Sequence, residues 1–120
     1  MKGITNCQSG GGGGTIYVHT LSLQESSSTA NTKRCIATIY TLDATPFTNS
    51  SLKSWLETNG FDTHDNHKLY PVNGFYRESA SSYPLVYGMY AKSGRLYVFY
   101  GSGSTTGIDW IIQTETIETL

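Results

Sequence analysis

The sequence predicts a mainly β protein, a compact antiparallel β-sandwich or barrel-like domain with one short helix. Three observations lead there. Aromatic and β-branched residues alternate with period two through residues 83–102, and alternation returns in residues 15–23 and 33–42. The helical spacing of apolar residues is confined to residues 48–60. A length of 120 residues fits one domain, able to bury roughly two-thirds of its unfolded surface without metals or multiple disulfides.

Taken in order, the chain opens with a polar leader that ends in Gly10, Gly11, Gly12, Gly13 and Gly14. Five successive glycines bring no side chains to a core and lose the most backbone freedom on ordering, so they predict a linker or threading segment. The division expected is an arm over residues 1–14 and a β-rich domain over residues 15–120. Ile4 is the only aliphatic side chain besides Met1 that the arm could insert into a partner.

Residues 15–23 read as a strand with Ile16, Val18 and Thr20 on one side and Tyr17, His19, Leu21 and Leu23 on the other. A Ser-rich turn follows, and residues 33–42 form the second strand of an antiparallel pair. In residues 48–60, Leu52, Trp55 and Leu56 fall at i, i+3 and i+4; Asn49 or Ser50 is the expected cap and Asn59-Gly60 the stop. Trp55 is expected to pack this helix against a sheet. Residues 61–68 read as a polar loop, and residues 69–76 as a strand in which Pro71 and Gly74 imply an edge or a bulge.

Residues 83–102 read as a hairpin turning at Lys92-Ser93-Gly94, with Gly94 supplying positive φ. Its alternation places Leu85, Tyr87, Met89 and Ala91 on one side of the first run and Leu96, Val98 and Tyr100 on one side of the second. Residues 102–107 read as a glycine-serine turn, and residues 108–120 as the last strand or two. The expected total is six or seven strands and one helix.

The net charge is −1 and charged residues make up 14% of the chain. Its long-range field is therefore weak, and neither nucleic acid nor an anionic membrane is an expected partner. Cys7 and Cys35 are too few for a disulfide framework and lack CxxC spacing; a single bridge between them stays open. The first residues show no apolar stretch of the signal-peptide kind, and no apolar run is long enough to span a bilayer, so synthesis and assembly in a cytoplasm are expected.

Asp62, His64, Asp65 and His67 are the only cluster of metal-ligand types, but their spacing is that of a solvated loop, so no metal and no cofactor is expected. His19 sits inside a strand pattern and reads as a hydrogen-bonded or surface histidine. No GxSxG context and no spaced acid–base pair supports hydrolase chemistry. Residues 101–107, GSGSTTG, lack the Lys and the helix of a phosphate-binding loop. Asn49-Ser50-Ser51 fits a glycosylation sequon but serves more simply as a helix start. Among the nine tyrosines, Tyr87, Tyr90, Tyr97 and Tyr100 are candidates for a sugar platform or a subunit contact.

The glycine run leading at once into Tyr17-Val18-His19, and the finish in an aromatic hairpin and a Thr- and Glu-rich strand, Thr114 to Leu120, resemble small virion proteins of tailed gut bacteriophages. Those are head fibres, capsid-decorating proteins or tail-fibre segments. The resemblance implies a non-enzymatic structural protein of the virion, docked through Ile4 and Gly10–Gly14 onto capsid or tail proteins. It also implies a homo-oligomer, for which a trimer is expected. The alternative expectation is a carbohydrate-binding module that uses exposed tyrosines on a host-surface glycan.

Overall fold

The computed structural model describes residues 14–26, 33–63, 68–76, 86–100, 104–105 and 109–120. These form strands β1 (Tyr17–Glu25), β2 (Lys33–Thr41), β3 (Tyr70–Pro71), β4 (Asn73–Tyr76), β5 (Val86–Lys92), β6 (Arg95–Tyr100), β7 (Ser104–Thr105) and β8 (Trp110–Thr119). Among the described residues there is one helix, α1 (Asn49–Thr58), between β2 and β3. The protein is mainly β, as its alternation predicts, with two four-stranded antiparallel sheets ordered β4-β2-β1-β8 and β3-β5-β6-β7.

Both sheets bury one face, and the alternation of each strand decides which residues meet. His19, Leu21 and Leu23 of β1 and Cys35, Ala37 and Ile39 of β2 are buried, and so are Met89 and Ala91 of β5 and Leu96 and Val98 of β6. Leu52 and Leu56 of α1 close the same core, which Trp110 fills where β8 begins. Each such aliphatic side chain contributes about 1.5–3 kcal/mol on leaving water.

Two inserted residues shift the faces. In β8, Gln113 is an extra residue between Ile112, opposite Leu23, and Thr114, opposite Ser22. In β5, Tyr87 is extra between Val86, opposite Tyr100, and Gly88, opposite Phe99. The second bulge corrects the strict alternation expected for the hairpin. Val86, and not Tyr87, joins Met89 and Ala91 inside, while Tyr87 stands 54% exposed. Leu85 lies outside the described residues, and of the Tyr100 side chain nothing is described.

The hairpin turn itself follows the reading. Ser93 and Gly94 both have positive φ, 53° and 76°, the backbone of a two-residue turn that matches strand twist. At α1 the cap is Thr48, one residue earlier than Asn49: its hydroxyl accepts from Ser51 N–H at 3.0 Å while Ser51 Oγ accepts from Thr48 N–H at 2.8 Å. Asn49 instead accepts from Ile112 N–H at 2.8 Å and ties the helix start to β8. Asn59 and Gly60, with φ of 88°, end the helix as expected.

The run 69–76 holds two short strands instead of one. β4 pairs with β2, and β3 pairs with β5 in the other sheet, so the chain changes sheets beside Pro71. Both are edge strands, which suits a proline that has no N–H to give a ladder. Ser104–Thr105, expected in a turn, pair with β6 as β7. The described residues thus contain eight strands where six or seven were expected. Asp109 staples the sheets: its Oδ1 accepts from Leu96 N–H of β6 at 2.8 Å and Trp110 N–H at 2.9 Å, and its Oδ2 accepts from Lys53 Nζ of α1 at 2.7 Å.

Candidate functional site

Beside α1 lies a groove of about 510 Å³, within the size range of small-molecule pockets. One wall is the helix stripe Ser51, Ser54, Trp55, Thr58 and Asn59, which share a face because they sit at i, i+3, i+4, i+7 and i+8. The facing wall is the end of β2, Tyr40 and Thr41, and the segment Leu42 to Phe47.

Aromatic rings build the base. His19 meets Phe47 edge-on at 5.0 Å between centroids, Phe47 meets Trp55 at 6.2 Å, and Trp55 stacks on Phe61 at 6.1 Å and meets Tyr70 edge-on at 5.5 Å. Trp55 is half-buried here, with Leu52 and Leu56 the fully buried anchors of the helix, so the indole serves both packing and groove. The Tyr70 hydroxyl donates to the Thr38 carbonyl, and burial pushes its own ionisation up to about 12.

His19 Nδ1–H donates to Glu115 Oε2 at 2.8 Å, and Nε2 lies 2.8 Å from Thr41 Oγ1 and 2.9 Å from the Asp43 carbonyl. Hydroxyl, imidazole and carboxylate in this order have the layout of a nucleophile, a base and an orienting acid. Four hydrogen bonds tie these same groups into the fold. The Asp43 carbonyl shares Nε2, and Thr41 Oγ1 is itself tied to that carbonyl at 2.7 Å and to Asp43 N–H at 3.2 Å. Glu115 also accepts from Phe47 N–H at 2.9 Å. The imidazole, 1% exposed, therefore pins the turn after β2 to β8; of the two roles expected from sequence, a hydrogen-bonded or a surface histidine, the structure shows the first.

Asp43 is the charged group on the groove. The hydroxyl and N–H of Thr45 hold its carboxyl below the usual carboxylate range, so it presents a negative charge to solvent at neutral pH. The groove thus offers an apolar base, a rim of hydroxyls and one carboxylate.

The tyrosine candidates separate. Tyr90 and Tyr97 face one another across β5 and β6, stacked at 4.9 Å, and Tyr90 is 7% exposed. Tyr87 is exposed and lies 6.2 Å from Phe99. Gly14 is exposed where the chain enters β1; Ile4 and Gly10–Gly13 lie outside the described residues, as do Cys7, His64, Asp65 and His67. Cys35 is a free thiol buried in the core, and burial pushes it up to about 12. Among the described residues no group of three or more His, Cys, Asp or Glu is placed to hold a metal ion, and no helix is long and apolar enough to cross a membrane.

The groove was not foreseen from sequence. Its helix stripe is mostly Ser and Thr, residues that read as a solvated face, and its other wall is a loop without periodicity. Comparison with protein-family models, curated proteins and solved structures found no match.

Proposed function

We propose that this chain is a non-enzymatic structural protein that works by docking. In line with the resemblance of its leader and closing strand, we place it in a tailed-phage virion as a head fibre or a capsid or tail decoration. The observation that supports docking best is the groove between the end of β2 and α1, because an apolar base rimmed by hydroxyls suits capture of a chain segment and leaves the His19 hydrogen bonds intact. The arm over residues 1–14, which meets the described domain at exposed Gly14 and Thr15, is the segment we assign to docking in the particle. Copies assemble as a homo-oligomer, three per fibre.

The test is deletion of residues 1–14, followed by circular dichroism and by gel analysis of purified virions. A folded remainder that no longer enters particles supports the reading. A remainder that does not fold, or that still enters particles, overturns it. A native mass of one chain overturns the homo-oligomer.

The exposure of Tyr87 beside Phe99 favours a second reading, glycan binding on the outer face of the β5–β6 hairpin. Binding on a glycan array that Tyr87→Ala abolishes would establish it, and an empty array would remove it.

A further inference from the structure

We propose that the groove is the receptor for the chain's own leader, residues 1–13, which lies along it as an added strand with Ile4 toward Phe47 and Trp55. This rests on the docking reading above and names the docked segment.

The hydrogen-bond parity of the first sheet supplies the free edge. Leu120 N–H donates to the Ile16 carbonyl, so the even-numbered residues at the start of β1 turn their N–H and C=O groups toward β8, and Tyr17, His19 and Leu21 turn theirs toward β2. Their partners Thr41, Ile39 and Ala37 therefore face β1, and Ile36, Thr38 and Tyr40 face the other way. On that side β4 pairs with β2 only as far as Ile36, because the chain crosses to the second sheet beside Pro71. Tyr70 caps the Thr38 carbonyl. The N–H and C=O of Tyr40 lie on that same side, Tyr40 lines the groove, and among the described residues no strand pairs with β2 beyond Ile36. An extended segment laid there gains main-chain hydrogen bonds, as in strand addition to a sheet edge.

Three observations select the leader as that segment. The first is where it starts: a methyl group placed on Gly14 would lie 3.5 Å from Leu42 Cδ2, and Leu42 is part of the groove wall. The second is reach. Four residues, Gly10–Gly13, extend at most about 13–14 Å. The far side of β2 lies two strand spacings, about 10 Å, from β1. The third is charge: residues 1–13 carry Lys2 and no Asp or Glu, and the groove presents the Asp43 carboxylate. Glycines suit the reversal this path needs, since they take either sign of φ, and residues 3–9 follow them as the paired part. The same contacts form when the leader is exchanged with that of a neighbouring copy.

The leader carries its own probe, Cys7, and the other native thiol, Cys35, is buried. In the full chain, Ser54→Cys puts an exposed thiol on the groove's helix wall, and Lys92→Cys puts one at the hairpin turn. After mild oxidation with diamide, peptide mass spectrometry is expected to find Cys7 bonded to the new thiol roughly tenfold more with Ser54→Cys than with Lys92→Cys, the gain of a local effective concentration. Ile4→Asp should reduce the Ser54→Cys product toward the Lys92→Cys level. A product at monomer mass places the leader in its own groove, and one at dimer mass places it in a neighbour's; either supports the proposal. Equal trapping at both positions, or trapping that ignores Ile4→Asp, overturns it. If trapping fails while the 1–14 deletion still blocks entry into particles, the docking reading stands and only the groove's occupant is wrong. Strong trapping with normal particle entry of the deletion keeps the leader in the groove and removes its part in virion docking.

Discussion

Removing the Asp109 carboxylate should loosen both sheets and the helix together. Asp109→Ala takes acceptors from two buried residues, Leu96 and Trp110, and releases Lys53. Each N–H deprived of its acceptor costs about 1–2 kcal/mol, the lower part of the range for a buried donor left unsatisfied. The Lys53 contact, 15% and 33% exposed on its two sides, adds only about 0.2–1 kcal/mol after solvent screening. The expected loss is about 2–5 kcal/mol for Asp109→Ala. Asp109→Asn retains Oδ1 for both amides and gives up only the ion pair, so about 1 kcal/mol or less. Thermal unfolding followed by circular dichroism separates the two, at roughly 4 °C per kcal/mol for a domain of this size.

The same pair reads pH. Burial pushes the Asp109 carboxyl up, but Lys53, Leu96 N–H and Trp110 N–H together hold it below its usual value. A carboxyl lowered by folding stabilises fully above its unfolded value, about 4, and that stabilisation is lost as pH falls through the folded value. The gap between wild type and Asp109→Asn should therefore stay level from pH 7 to about 5 and close below about 4. An Asn variant as damaged as the Ala variant at pH 7, or a gap unchanged at pH 2, would refute this account.

Gly88→Ala should destabilise by about 1–3 kcal/mol in denaturant titration, because its Cβ would sit 2.8 Å from Leu69 Cβ and 3.0 Å from the Tyr70 carbonyl oxygen and force β3 off β5. In a Cys7→Ser background, a maleimide should label Cys35 only at the rate of unfolding, since the thiol is buried and pushed up to about 12; rapid labelling of the folded protein would contradict its placement. That raised thiol favours folding below its unfolded value, so stability should decline as pH climbs past about 9.

The parts of this fold that sequence disclosed are those where one residue's side determines the next. His19, Leu21 and Leu23, or Leu96 and Val98, alternate without interruption, and the turn at Ser93-Gly94 is marked by its own backbone demand. Alternation failed at Tyr87, where one extra residue reverses the parity, because a bulge arises from pairing between strands and leaves no local mark in either. The strand 69–76 divided for a related reason: Pro71 signals an edge but not which of two sheets it borders. Of the groove, Trp55 was the visible part. Its other wall depends on His19 and Glu115, 96 positions apart, meeting across β1 and β8, and no sequence spacing encodes that contact.

The pairing of β1 with β8 also sets how the domain answers a pull. Tyr17 lies opposite Thr119 and Leu120 N–H bonds to the Ile16 carbonyl, so the first and last described residues leave the sheet side by side. Tension applied between them acts across the ladder, on one hydrogen-bonded pair after another, and does not shear the whole row at once. Such a junction opens like a zip, at lower force than strands drawn past each other lengthwise.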